Sequence, residues 1–241
     1  MNGSSATVLL AHGSPDPRHA HGIERIAERW QARHRAPVAV AYLDHHEPRL
    51  ATAIRSLPHP GAVTVRPLLL SRGLHLTEDV PAVIASAAAD TGAEVQQGSA
   101  PLAVHGDWVR DAVAELASRL PGRPEPGHGL LVTAGTSNAA ALQAWEEAAE
   151  RWGWISVAHA TGPGRTLTQA VAEAQRSGAT VRFVVPVVLA EGRIVDKIAA
   201  NAAALGLPVS SVIGTTTALL DALDPTAHRP DSETTFSTMS A

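Results

Sequence analysis

The chain has 241 residues, 45% hydrophobic and 17% charged, with a formal net charge of −4. This is enough apolar material for one large or two small domains. The acidic balance argues against general nucleic-acid binding, which needs a basic surface. The absence of cysteine excludes disulfides, thiolate catalysis and thiolate metal sites. The opening MNGSSATVLLAHGS lacks the basic segment of a signal peptide. No apolar run is long enough to span a bilayer, so a cytoplasmic protein is expected.

In chain order, short β-branched runs alternate with longer Ala-rich amphipathic segments. ATVLLAH (6–12) reads as a buried strand. Residues 18–34 read as a helix, with Ile23, Ile26, Ala27 and Trp30 at helical spacing. PVAVAYL (37–43) is a strand and 48–57 a short helix. AVTVRPLLL (62–70) is a strand, followed by a helix over 77–89 that opens on Thr77, Glu78 and Asp79. AEVQQ (93–97) and a helix over 105–120 close the first half. The alternation predicts an α/β protein with a parallel sheet covered on both faces.

PGRPEPGH (121–128) reads as a linker, after which the pattern restarts. GLLVTAGTSN (129–138) echoes VLLAHGSPD, and ISVAHATGP (155–163) echoes VAVAYLDHHEP. TVRFVVPVVLAEGRI (180–194) echoes VTVRPLLLSRGLH, and LPVSSVIG (207–214) echoes AEVQQGSA. The sequence therefore predicts two similar domains, over 1–122 and 129–224, from an internal duplication. The Ser/Thr/Pro-rich segment 225–241 reads as a disordered tail.

The duplication compares the chain with itself. His12 falls opposite Ala134 and His75 opposite Ile194, whereas Gly13 pairs with Gly135 and Gly73 with Gly192. Ser14 falls opposite Thr136. Glycines kept in both copies read as structural, and histidines kept in one read as functional. The chain holds 12 histidines, nine of them before residue 106, and imidazole is the commonest ligand for transition metals. Lys197 is the only lysine, and the arginine bias is read as genomic base composition.

Ligands of open parallel sheets bind at the carboxyl ends of strands. His12 ends the first strand. Asp44, His45, His46 and Glu47 follow the second, and His75 follows the third after Ser71-Arg72-Gly73. Imidazoles with a carboxylate suit Fe(II), Co(II), Ni(II) or Zn(II). Of the adjacent pair His45 and His46, one at most is expected to face the crevice and the other to be solvated. His19, His21, His34 and His59 are expected on the surface.

LLAHGS, AYLDHHEP and VRPLLLSRGLHLTEDVP, in that order, resemble the class II chelatases, the sirohydrochlorin ferrochelatases and cobaltochelatases. The resemblance covers residues 7–120. It implies two chelatase-like domains, each a small parallel sheet flanked by helices, with the macrocycle between them. It implies that His12 and His75 bind the metal and accept pyrrole protons. Asp44 stands where the family commonly has Glu, and Glu47 matches the second acidic position. That leaves open whether Asp44, Glu47, His45 or His46 completes the metal site. Arg18, Arg72 and Arg193, with Ser14 and Ser71, are expected to meet the substrate's carboxylates, since arginine binds carboxylates bidentately. The resemblance implies a lyase acting on sirohydrochlorin and a divalent metal, Fe(II) or alternatively Co(II). It implies no organic cofactor, and a monomer or homodimer.

Other functions fit the motifs less well. A histidine phosphatase needs an arginine before its strand-end histidine, where this chain has Ala11. Thr161-Gly162-Pro163-Gly164-Arg165 lacks the ending of a phosphate-binding P-loop. A carrier that holds metal or tetrapyrrole without turnover would show the same ligands.

Overall fold

The structure, a computed structural model, describes residues 6–58, 61–70, 75–98, 100, 102, 107–122 and 124–224. Ser71, Arg72, Gly73, Leu74, His59, His105 and the segment 225–241 lie outside the described residues.

Two parallel sheets follow one another along the chain. The first comprises β1 (Ala6–Ala11), β2 (Val38–Tyr42), β3 (Ala62–Leu68) and β4 (Glu94–Gln97) in the order β2-β1-β3-β4. The second comprises β5 (Gly129–Thr133), β6 (Ser156–His159) and β7 (Phe183–Val187) in the order β6-β5-β7. Registers match between the halves. Leu10 pairs with Pro67 as Val132 pairs with Pro186, and Ala11 with Tyr42 as Thr133 with His159. Pro67 is tolerated inside β3 because β4 pairs only with Ala62–Val65, so no neighbour needs its missing N–H. The stretch 207–214, expected to mirror β4, is reduced to one bridge, Val184 to Val209.

Helices cover the sheets: α1 (Pro17–His34), α2 (Leu50–Ser56), α3 (Val80–Thr91) and α4 (Asp107–Ser118) in the first half. The second has α5 (Ala139–Arg151), α6 (Leu167–Arg176), α7 (Arg193–Ala204) and α8 (Thr217–Leu223). Equivalent residues start equivalent helices. The Asp16 carboxylate caps α1 and the Asn138 side chain caps α5, each accepting a backbone N–H of the first turn. The helix expected from residue 77 begins at Val80, preceded by a wide π-type turn over His75–Asp79. Pro81 at the start of α3 has no N–H to give, so the preceding turn closes differently.

The strands' alternation divides the core. Val8, Leu10, Val63 and Val65 face outward onto α2 and α3, and Leu130, Val132 and Val184 onto α6 and α7. Leu9, Ala11, Leu131, Val157 and Val185 face inward into one cluster with Trp30, Val113, Trp145, Phe183 and Leu219. This middle layer belongs to both halves. Helix α4, from the first half, lies against β7 and α8, and α1 lies against α8. Gly22 brings α1 so close to the second half that an added Cβ would stand 2.5 Å from the Cβ of Ala190. Arg29 locks the contact by donating to the carbonyl oxygens of Gly214 and Thr216, both at 2.8 Å. Among the described residues no helix is long and apolar enough to cross a membrane.

Candidate active site

In both sheets the chain winds to opposite sides of the first strand, so a crevice opens at the carboxyl ends of β1 and β3, and of β5 and β7. The two crevices merge into one cavity of about 400 Å³ between the halves. His12, His19, His45 and His75 line one wall. Thr133, Trp145, Val187, Leu189 and Arg193 line the other, where no histidine stands among the described residues.

Gly13 and Gly135 explain how the strand ends hold their shape. Their φ angles are +95° and +103°, where a side chain is strained. An added Cβ would fall 1.8 Å from the Asp44 carbonyl oxygen in one half and 2.0 Å from that of Thr161 in the other. The loop after the second strand is thus pressed onto the glycine in each copy. Matching backbone bonds fasten it: Asp44 N–H to His12 O at 2.8 Å, and Thr161 N–H to Ala134 O at 3.0 Å.

On this frame the rings of His12 and His75 lie edge to face with centroids 4.5 Å apart. Nδ1 of His12 stands 3.2 Å from the Gly13 carbonyl oxygen, and Nδ1 of His75 stands 2.6 Å from Asp79 Oδ2. Carbonyl and carboxylate oxygens only accept, so each Nδ1 donates and each Nε2 keeps the lone pair. A metal-binding imidazole needs this arrangement. Asp79 was read in the sequence as a helix-start residue. Its spacing of four from His75 is the signal that it also reaches the ring.

The acidic candidates lie elsewhere. Asp44 and Glu47 are exposed and turn toward Arg49. Glu47 accepts the Arg49 N–H at 2.8 Å, and Asp44 Oδ1 lies 3.8 Å from the guanidinium. Neither lines the crevice, whereas His45 between them does. The His45 N–H donates to Asp44 Oδ1, and this bond first, then the neighbouring His45 and Arg49 charges, lowers the Asp44 pKa. Among the described residues no three His, Asp or Glu side chains are grouped closely enough, as placed, to hold one ion.

Three of the other histidines depart from expectation. His46 is half-buried against the Tyr42 ring, with Nε2 enclosed and unpartnered among the described residues. His19 is also half-buried and lines the crevice, and burial first, then nearby His46 and His12, lowers its pKa. His34 packs on Trp30 with centroids 4.3 Å apart. The missed signal was spacing: His19 and His34 extend the stripe Ile23, Ile26, Trp30 by one turn at each end.

Of the cationic candidates, Arg193 lines the crevice and is exposed. Arg18 does not line it; its guanidinium spans Asp16, which caps α1, and Asp196 on α7 at 2.7 and 2.5 Å. Ser14 lines the cavity beside His12. The turn 161–165 binds no phosphate geometry into place. Gly164 is packed against the His159 ring, and Arg165 pairs with Glu146 and Glu173.

Residues 6–119 match the CbiX family. This matched stretch, just under half of the chain, belongs to the class II chelatase family. Over 82 residues the chain is 29% identical to a sirohydrochlorin cobaltochelatase of Methanocaldococcus jannaschii. That match takes in 33% of the chain and 57% of the archaeal protein, little more than half its length. The fold of nearly the whole chain is similar to SirB from Bacillus subtilis with Fe3+, with a TM-score of 0.73, 19% identity, and 91% and 92% of the two chains covered. It is also similar to the sirohydrochlorin chelatase SirB of Bacillus subtilis subspecies spizizenii in complex with cobalt (TM-score 0.66, 19% identity, 91% and 92% covered). CbiX, the terminal enzyme for siroheme biosynthesis in denitrifying bacteria, is a third similar structure (TM-score 0.58, 18% identity, 91% and 97% covered).

Proposed function

We propose that this chain is a sirohydrochlorin chelatase that inserts Fe(II) into sirohydrochlorin, a lyase-type step toward siroheme. The observation that carries the reading is the His12–His75 pair. Two rings 4.5 Å apart, each with Nδ1 tied back, face a wall without histidine among the described residues. Two imidazoles sharing one ion through nitrogens about 2.1 Å away place their centroids roughly 4.5–5 Å apart.

In this reading His12 and His75 hold the divalent metal as its waters are stripped. The macrocycle lies against Trp145, Val187 and Leu189, with its acidic edge toward Arg193 and Ser14. Ser71 and Arg72, which lie outside the described residues, remain sequence candidates for binding its carboxylates, whereas Arg18 is taken up by Asp16 and Asp196. As the metal enters, two pyrrole N–H protons leave, one for each positive charge gained by the ring. As each imidazole lets go of the metal, its freed Nε2 can take one of the two protons.

The chain has no histidine-rich run of the kind often found in cobalt enzymes, which favours iron. Cobalt is the alternative, since the matched archaeal relative is a cobaltochelatase. The test is anaerobic: purified protein with sirohydrochlorin and equal Fe(II) and Co(II), followed by the product spectra. Insertion of Fe(II) above the protein-free rate supports the proposal. Acceleration of Co(II) alone moves the assignment to cobalt, and acceleration of neither metal refutes it.

A further inference from the structure

The loop after β2 offers four donors in a row, Asp44, His45, His46 and Glu47. Only His45 is turned into the crevice. It gets there through a left-handed backbone, φ +63°, which residues other than glycine adopt uncommonly. Such a conformation persists only where its surroundings hold it. Here Asp44 holds it from both sides. The Asp44 N–H donates to His12 O at 2.8 Å, the Asp44 carboxylate accepts the His45 N–H at 2.8 Å, and the Asp44 carbonyl accepts the His46 N–H at 2.7 Å. Arg49 completes the arrangement. It draws Asp44 and Glu47 to the outer side and donates to the carbonyl oxygen of Leu43.

We infer that His45, not Asp44, is the third protein ligand of the metal, and that Asp44 acts by shaping the loop that presents it. This rests on the chelatase reading of the His12–His75 pair. The His45 and His12 rings stand 6.3 Å apart, about 1–2 Å beyond the separation two imidazoles take on a shared ion. A swing of the His45 side chain closes that gap. The side chain is 42% exposed, and its only polar approach among the described residues is Nε2 to Asp44 Oδ2 at 3.5 Å. With Asp44 turned outward, the chain thus offers a third imidazole, a donor type that suits iron as well as the later divalent metals.

Co(II) titration of the full chain without sirohydrochlorin separates this inference from the function. Affinity and the visible d–d spectrum read the ligands, and insertion by wild type reads the chemistry. His45→Ala should weaken Co(II) binding at least about tenfold and change the spectrum, and should lose more than Asp44→Asn. His45→Glu restores a donor at the same place and should recover affinity, which guards against a loop that has merely collapsed. Binding by His45→Ala within twofold of wild type, or a greater loss in Asp44→Asn, would overturn the assignment, as would failure of His45→Glu to recover. If wild type binds Co(II) with the expected variant pattern but inserts no metal, the ligand set stands and the chelatase reading falls.

Discussion

Replacing Gly13 with alanine tests how the strand-end loop is positioned, and Gly135→Ala supplies an internal control. At Gly13 an added Cβ would sit 1.8 Å from a backbone oxygen, and at Gly135 2.0 Å. Real Cβ atoms keep at least about 3 Å from such an oxygen, so each loop must retreat by more than about 1 Å. The left-handed backbone adds about 1–2 kcal/mol for a residue with a side chain. Together these put the loss at about 3 kcal/mol for either variant, or a fall of about 6–12 °C in melting temperature. Function should divide them. Gly13→Ala moves the Asp44–His45 loop and the residue beside His12, and a misplacement of about 1 Å at a reacting centre costs about 100-fold in rate. Gly135→Ala moves only the wall. Thermal melts and anaerobic insertion rates on both variants make the comparison. Unchanged stability in either would refute the close approach, and equal rate losses would refute the division of labour between the halves.

Other outcomes follow from the same geometry. Asp79→Asn should weaken Co(II) binding and insertion about 10- to 100-fold with an unchanged melting temperature, because it alters only the orientation of His75; equal activity would remove Asp79 from the account. Arg29→Ala deletes two bonds from a charged donor across the halves and should cost about 2–4 kcal/mol in urea unfolding. Arg29→Lys should recover only part, lacking the planar fork. His19 and His159 have pKa values held below the ordinary 6.5, chiefly by burial. The unfolded chain therefore binds protons that the folded chain refuses. Stability is full above about pH 6.5 and drains as pH falls toward the folded values. Urea midpoints from pH 7.5 to 5 should show that slope, and His159→Gln should flatten it; a level profile contradicts the burial of both rings.

The duplicated fold was legible because its signals are local and repeated. Two glycines, two mid-strand prolines and two helix caps recur at matching positions, and each has one backbone job to do in either copy. The strand absent from the second sheet was not legible. Its sequence differs little in apolar content from that of β4, and edge pairing depends on neighbours more than on propensity. His12 and His75 stood out because the second copy lacks them. Polarity alone places His19 on the surface; its spacing on the buried stripe of α1 is the signal that places it inside. The orientation of the Asp44–Glu47 loop was beyond reach of pattern. One residue with a left-handed backbone decides whether a carboxylate or an imidazole enters the crevice, and Arg49, two residues past Glu47, draws the carboxylates away.

The most direct test of the central claim is the anaerobic insertion rate of wild type beside His12→Ala and His75→Ala, with binding of sirohydrochlorin measured on the same samples. The account predicts that both variants still bind the macrocycle, through the apolar wall of the second half, and that both lose insertion down to the protein-free rate. Insertion near the wild-type rate in either variant would contradict it, because the two rings could not then be the pair that holds the metal.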